Sequence, residues 1–580
     1  MRVHYPRTPH LPWSPGASPD DLRAGDLSGL RGREVVVTEK LDGENTTLYA
    51  GGMHARSLDS AHHPSRAWVK GLQGRIGGRI PAGWRVCGEN LYARHSIAYQ
   101  GLESWFYGFS VWDGDRCLDW DRTAGFLRGL GIPVPPVLWR GVFDERALRG
   151  LRLDLDRQEG YVVRAAEGFG REEFAGRVAK WVRPQHVRTD THWMHATVVQ
   201  NGLGPAAALW SVRSGADPDV SALLTAVNLP SAEGVTAEAV AEVVARLDAI
   251  GRCGDARLAG VLAVVAHAVP RARLAARLAG PLGMRPARRV ADLVGLHGAL
   301  HRPYPDEERR AGLGRMALAA DLGVLHAVAA AVPAGRAGDA SDDAGEQARE
   351  QVEWSALHAE DAGLLGPEPL EPLRAGLREA LAGLGTEAAD RCWAEARDSW
   401  ARGRIATVEE AVAATWRWRS RPFPSLVQLV GPSGSGKSTF AAGLPGIDAY
   451  LSLDDLRQAR GSRADQRANR EVLGEGLDRL DAALAAGGTV VWDATSLNQH
   501  QRSLVHAVAR RRDALTTHAV VLVEEDELHR RNARRPHPVP SHVLAAQARR
   551  FVPPYPGQAH RTWYVGAHGT VDDVDGTLEA

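Results

Sequence analysis

The chain has 580 residues, 70 Lys plus Arg against 70 Asp plus Glu, and 44% hydrophobic residues. That balance describes a globular protein of about three or four domains and excludes a globally basic nucleic-acid binder, so a phosphate-rich partner has to be met by local arginine patches. Four cysteines without CxxC or zinc-like spacing, and no run of about 18 apolar residues, exclude a disulfide scaffold and a membrane span and leave the cytoplasm as the expected compartment.

Residues 1–204 are rich in tryptophan, tyrosine and β-branched runs. Glu34–Thr38, Trp84–Cys87, Trp105–Trp112, Gly160–Arg164 and Arg177–Val182 predict short strands, and Gly51-Gly52 predicts a hairpin turn. An α+β domain with antiparallel character is expected. From 205 to 420 the texture changes to alanine, leucine and arginine. Val240, Val243, Val244, Leu247 and Ile250 recur at helical spacing behind a Thr236 cap, and Leu258, Val261, Leu262 and Val265 repeat the pattern. An all-α middle domain is expected, with a polar loop or disordered insertion at 332–350. From 421 to 580, apolar runs at Leu426–Val430, Thr489–Trp492 and Val520–Val523 alternate with helical segments, the pattern of an α/β domain with a parallel sheet.

Lysine occurs at Lys40, Lys70, Lys180 and Lys437 alone, against 66 arginines. Arginine cannot shed its proton near neutral pH, so a chain that writes most positive charge as arginine keeps lysine where a compact or deprotonatable amine is needed. Lys40 lies in Glu39-Lys40-Leu41-Asp42-Gly43, where the amine can attack the α-phosphorus of a nucleoside triphosphate. Attack needs a neutral amine, so the site is expected to lower its pKa by burial or by a second cation, Lys180. Glu89 and Glu159 offer hard oxygen ligands to the ribose or a divalent metal, and the aromatics of 105–112 can stack on a base.

The order KLDG (40–43), HARS (54–57), GENLY (88–92), FYGFSVWD (106–113), EGYVVR (159–164) and VAKW (178–181) resembles the nucleotidyltransferase motifs of ATP-dependent RNA ligases, over roughly residues 30–190. The resemblance implies ATP and Mg2+ or Mn2+ as cofactors and Lys40 as the adenylylated nucleophile. Glu39, Asp42 and Gly43 lie beside it in the nucleotide site, and Arg56 contacts the bound nucleotide. Glu89 would bind ribose or assist the chemistry, Phe109 would stack on adenine, Glu159 would hold metal and Lys180 would neutralise the α-phosphate. The family's last motif usually carries two lysines one residue apart. Here Trp181-Val182-Arg183 follows Lys180, with Arg183 out of register for the second role.

Gly431-Pro432-Ser433-Gly434-Ser435-Gly436-Lys437-Ser438 matches GxxxxGK[ST] between a strand and a helix. Backbone N–H groups of Gly431, Gly434, Ser435, Gly436 and Thr439 are expected to cradle phosphates, with Lys437 on the β/γ oxygens and Ser438 on magnesium. In Leu453-Asp454-Asp455-Leu456-Arg457 a carboxylate can take a proton from an attacking hydroxyl while Arg457 binds an acceptor phosphate. Asp493 ends the second strand, and Arg531 and Arg535 are expected on one side of a helix as a charge clamp. Over about 425–555 this arrangement resembles the bacteriophage-type 5′-hydroxyl polynucleotide kinases. The resemblance implies Asp454 as general base, Arg457 on the acceptor's 3′-side phosphate, Asp493 in the acceptor pocket, and Arg531 and Arg535 as a lid on the ATP phosphates.

The middle block, especially Val290–Ala331, resembles the later helices of the HD phosphohydrolase domains of bacterial end-healing proteins, but no His-Asp doublet occurs in the chain. His267 and His297 therefore read as packed core histidines, and the block as a degenerate HD-like spacer or RNA platform. The whole chain resembles an RNA repair enzyme that phosphorylates a 5′-hydroxyl and seals it to a 3′-hydroxyl. Its expected partners are a nucleoside triphosphate and RNA with broken ends, such as tRNA. Two other readings stay open: a ligase joined to a small-molecule kinase, and a non-catalytic, nucleotide-gated RNA-binding protein.

Overall fold

The computed structural model describes residues 2–58, 62–184, 197–229, 236–267, 269–303, 306–332, 342–461, 469–535 and 538–579. The chain forms two compact units, residues 1–231 with 251–258, and residues 232–250 with 259–580.

The first unit is built on two sheets. One has the order β10-β8-β1-β7, with β1 (Glu34–Lys40), β7 (Val137–Val142), β8 (Gly160–Ala165) and β10 (Val178–Val182), all antiparallel. Val35, Val36 and Val37 are fully buried, which is why this short stretch is a central strand. The other has the order β3-β2-β4-β5-β6-β9: β2 (Glu44–Tyr49), β3 (Gly52–Ala55), β4 (Trp84–Asn90), β5 (Phe106–Asp113), β6 (Arg116–Cys117) and β9 (Phe169–Gly170). The turn at Gly51-Gly52 closes the β2–β3 hairpin as the sequence predicts. Trp112, Phe169 and Phe174 pack with Cys87 and Val178 in an apolar cluster.

The second unit joins a helical block to a six-stranded sheet. Helix Ala237–Ala249 starts where expected, with Thr236 Oγ1 accepting from Ala239 N at 3.2 Å, and helix Asp255–Val265 follows. The expected polar loop at 332–350 is partly overturned. Val332 caps the preceding helix and residues 333–341 lie outside the described residues, but helix Asp342–Asp361 covers 342–350. Its alanine, glutamate, glutamine and arginine content is strongly helix-forming.

The sheet has the order β12-β13-β11-β14-β15-β16, with β11 (Ser425–Val430), β12 (Ala449–Ser452), β13 (Thr489–Asp493), β14 (Leu515–Val521), β15 (Arg561–Val565) and β16 (Val571–Asp575). All pairings are parallel except β15–β16. Every residue of β11 and β14 is buried, as expected of central strands covered on both faces. The strand expected at Val520–Val523 is shifted: it starts at Leu515 and ends at Val521, because Thr516, Thr517 and His518 are core residues despite their polarity. No single helix among the described residues is long and apolar enough to cross a membrane.

Candidate active sites

Lys40 is the last residue of β1 and pairs with Gly160 at the start of β8, while Lys180 lies one strand further on, opposite Val162. Gly160 must be glycine, since a Cβ there would run into the carbonyl of Trp181 on β10. That close approach brings Glu159, the residue just before the strand, against Lys40. Lys40 Nζ donates to Glu159 Oε2 in an ion pair whose side chains are 22% and 7% exposed. Glu89, on β4, reaches the same place and accepts from Gly43 N at 3.2 Å.

These contacts decide the protonation states. Burial alone would pull the Lys40 ammonium down, but Glu159, Glu89 and Asp42 outweigh it and its pKa is raised. The expectation that this amine is already depressed is therefore corrected: Glu159 holds the proton on. Burial pushes the Glu89 carboxyl up to about 8 against the opposing field of Lys40, so it is mostly protonated at neutral pH. Lys180 takes the depression instead, through burial and then repulsion from Lys40.

The neighbouring residues divide between scaffold and pocket. Asp42 Oδ2 accepts from Ser96 N at 2.7 Å and Ile97 N at 2.9 Å, and Asp42 N donates to Tyr99 OH at 2.9 Å, so Asp42 anchors the segment after β4. Glu39 accepts from Gln158 Nε2 at 2.9 Å, and burial raises its carboxyl. Arg56 is exposed at the end of β3, and its positive field contributes to the depression of Lys180. Phe109 is half-buried, with Tyr5 edge-on at a centroid distance of 5.3 Å and the Arg164 guanidinium 5.8 Å from its ring centre. Arg183 does not join the cations: it is buried and donates to the carbonyl of Leu155.

The second site lies at the end of β11. Gly434 and Gly436 adopt φ of +79° and +103°, the left-handed region that favours glycine, and the loop turns there into helix Lys437–Ala442. Lys437 Nζ donates to Pro432 O at 2.7 Å. Burial, opposed by Asp493 and reinforced by Arg535, lowers the amine to about 8. Ser438 Oγ donates to Asp493 Oδ2 at 2.7 Å, and Tyr450 OH donates to the same oxygen at 2.5 Å. Asp493, expected in the acceptor pocket, thus sits directly against the P-loop serine. Thr439 is exposed on the first turn of the helix.

On the acceptor side, helix Leu453–Ala459 is capped by Ser452, whose Oγ accepts from Asp455 N at 3.2 Å. Asp454 and Arg457 pair with each other at 2.6 Å across one turn. Arg531 bridges Glu527, at 2.6 Å, and the backbone carbonyl of Ser435 in the loop, at 2.7 Å. Arg535 corrects the expected helical clamp. The helix spans Glu525–Ala533, so Arg535 lies beyond its end, exposed, because the residue before Pro536 is steered out of the helical region. Tyr450 was missed in the sequence, where a lone tyrosine on a short strand carries no signal.

In the helical block, His297 is buried as expected, with Nδ1 2.8 Å from Val294 O. The expectation of a core histidine is corrected for His267, which follows the last turn of its helix and is exposed, with Nδ1 3.0 Å from Val264 O. Among the described residues, no three imidazole, thiol or carboxylate groups converge as a metal-ligating cluster.

The two sites define the class. Residues 33–182 match the family model described as RNA ligase, and residues 426–554 the one described as AAA domain. The chain carries an RNA-ligase domain toward its N-terminus, a helical middle region and a P-loop, kinase-like domain toward its C-terminus.

Solved structures that resemble parts of it include the Pnkp1/Rnl/Hen1 RNA repair complex, 22% identical over 23% of this chain and 45% of that one, with a TM-score of 0.21. A Naegleria gruberi RNA ligase mutant with ATP and Mn is 17% identical over 27% of this chain and 52% of its own, with a TM-score of 0.21. A gluconokinase from Sinorhizobium meliloti is 23% identical over 25% of this chain and 85% of its own, with a TM-score of 0.19. The chain spans about half the length of the first two. No curated protein matches it in sequence.

Proposed function

We propose that the chain is an RNA repair enzyme that phosphorylates 5′-hydroxyl ends at the P-loop and seals the resulting 5′-phosphate to a 3′-hydroxyl through a lysyl-AMP at Lys40. The reading rests above all on Lys40: an amine at a strand end, inside a nest of carboxylates and near a second lysine, in a domain that matches RNA ligases.

The residues fit a divalent cation. Glu89 is a half-buried hard-oxygen donor whose carboxyl is raised by desolvation, and Glu159 is a second, buried one. Two protein carboxylates, rather than a closed cage, suit Mg2+ or Mn2+, which share their coordination with phosphates and water. When bound, the ion supplies charge neutralisation at the triphosphate.

Lys40 becomes a nucleophile when Glu159 turns away from it and its proton passes to water, since burial and Lys180 then work against Glu89 and Asp42 alone. Its Nζ attacks the α-phosphorus, a P–N bond forms, and pyrophosphate leaves as the P–O bond breaks. Lys180 neutralises charge on the α-phosphate, and Phe109 offers its ring to the base. The 5′-phosphate oxygen of the RNA then takes the adenylyl group as the P–N bond breaks. The 3′-hydroxyl attacks the activated phosphate and AMP leaves.

At the P-loop, Lys437 exchanges the Pro432 carbonyl for phosphate oxygens. Asp454, released from Arg457, takes the proton of the 5′-hydroxyl while that oxygen attacks the γ-phosphorus and ADP leaves. Arg457 is then free for a phosphate of the acceptor. The kinase product is the ligase substrate, which gives two sites in one chain a common purpose.

The test is joining of a broken RNA with 5′-hydroxyl and 3′-hydroxyl ends in ATP and magnesium, alongside labelling with α-labelled ATP. Wild-type protein is expected to become covalently adenylylated and Lys40→Ala to take no label. Absence of a protein–AMP adduct in folded wild-type enzyme would sink the sealing half.

A further inference from the structure

Tyr450 lies on β12, the edge strand of the kinase sheet, paired with Val491 of β13. Its hydroxyl donates to Asp493 Oδ2 at 2.5 Å, the same oxygen that accepts from Ser438 at 2.7 Å. The residue nevertheless remains 41% exposed. The helix carrying Asp454 and Arg457 starts at Leu453, immediately after this strand. A flat aromatic side chain is thus tethered by its tip to the carboxylate beside the P-loop serine, with part of its surface open to solvent and two residues before the Ser452 cap of the helix that carries the candidate general base.

An isolated exposed aromatic is ordinary on a protein surface. The tether is what makes this one unusual. A tyrosine held through its hydroxyl has little rotamer freedom left to lose, so stacking a second flat group on it costs little ordering. Base–aromatic stacking tolerates any sequence because every nucleobase presents a π-face.

Resting on the kinase reading above, we propose that Tyr450 is the base platform of the acceptor subsite. Its ring stacks the nucleobase of the nucleotide that carries the 5′-hydroxyl. Asp454 then meets the hydroxyl and Arg457 the phosphate on the 3′ side of that nucleotide. The substrate class this selects is a nucleic-acid end that bears a base, in preference to a sugar or polyol of similar size. Selection is for the presence of a base rather than for its identity.

The test compares two RNA oligonucleotides that differ only in the 5′-terminal residue, an ordinary nucleotide in one and an abasic ribose in the other. Phosphoryl transfer to each is measured with the full-length chain, and the readout is the ratio of the two kcat/KM values. Wild type is expected to favour the base-bearing end about tenfold, the scale of one stacked base. Tyr450→Ala is expected to bring the ratio to about one, chiefly through KM for the base-bearing end. Tyr450→Phe loses the hydroxyl but keeps the ring, so it is expected to retain the preference whatever happens to its absolute rate. A ratio near one in wild type overturns the platform, as does a ratio that survives in Tyr450→Ala. Loss of the preference in both variants overturns it too, since Tyr450 would then act through Asp493. If wild type phosphorylates neither RNA, the polynucleotide-kinase reading itself has failed, a result distinct from these.

Discussion

Glu89→Gln should change how the ligase domain's stability depends on pH. Burial raises the Glu89 carboxyl from 4.5 to about 8 in the folded chain without nucleotide. Between those values the folded state keeps a proton that the unfolded state has released, so stability falls as pH rises. Below 4.5 both states are protonated and no penalty exists; above 8 the full penalty is present. The slope inside the window is at most about 1.4 kcal/mol per pH unit, roughly tenfold in the opening equilibrium. The glutamine can still accept from Gly43 N through its amide oxygen, and it carries no titrating proton.

A chain of two compact units is not expected to unfold in one transition, so the assay has to be local. Hydrogen exchange of the β4 amides (Trp84–Asn90), read by mass spectrometry at pH 5.5, 6.5 and 7.5 and corrected for intrinsic exchange, reports that region's opening. Half-buried Glu39 and Glu103 are also raised and tilt the profile the same way, so the informative quantity is the difference between wild type and variant. Wild type is expected to lose up to about tenfold in protection per pH unit relative to Glu89→Gln. Parallel profiles would show that Glu89 is already ionised in the folded chain. The picture of a carboxyl kept protonated by desolvation would then be wrong.

Lys437 carries the opposite sign. Its amine is lowered to about 8, so at pH 8 half the molecules hold it neutral, and ATP phosphates should restore the charge. About half a proton should be taken up per ATP at pH 8 and almost none from this group at pH 6.5, measured by calorimetry in buffers of different ionisation enthalpy, with Lys437→Arg as the reference that takes up none. Asp454→Ala should abolish 5′-phosphorylation, by at least about 100-fold if it is the general base, while label from α-labelled ATP still reaches Lys40. Loss of both activities in a folded protein would mean the two sites are not independent. Gly436→Ala should impair ATP binding at the P-loop and leave adenylylation alone, because φ of +103° strains any side chain there and a Cβ would crowd Arg531 Nη1.

Local patterns in the sequence carried most of the strands and the local geometry of both candidate nucleotide segments. Glu34–Lys40 is a strand because consecutive valines want a buried pleat, and the glycine loop turns at Gly434 and Gly436 because other residues resist those backbone angles. The long-range facts were not legible. Glu159 lies 119 residues from Lys40, and strand register decides that the two meet, so the protonation of the amine could not be read from motif order. Asp493 was expected with the acceptor and lies against Ser438, because parallel pairing of β13 with β11 aligns the strand's end with the P-loop. Arg535 lies past the end of its helix because a proline follows it, a local signal that the sequence itself carries. His518 shows the converse: the strand was expected only from Val520, yet it begins at Leu515 and this histidine is fully buried within it, with Nε2 2.8 Å from His506 Nε2.

The economy in lysine finds its physical counterpart in the second unit. Arg288 donates from Nε to Asp573 at 2.8 Å and from Nη1 to Asp292 at 3.4 Å, joining the helical block to β16 while almost fully buried. Arg271 pairs with the other oxygen of Asp292, and Arg561 Nη1 reaches Asp390 at 3.3 Å. A planar fork with five donors can serve two acceptors in fixed directions, which a single ammonium cannot do with the same geometry. Buried carboxylates such as Asp292, whose pKa burial raises despite two guanidinium neighbours, need that kind of partner. The same property disqualifies arginine where a proton has to move. Lys180 and Lys437 are both depressed, and Lys40 is kept charged by Glu159 alongside Glu89 and Asp42. Permanent charge is therefore assigned to arginine in the scaffold, and adjustable charge to lysine at the two candidate sites. Lys70, on the surface of helix Ala67–Ile76, is the one lysine outside this division.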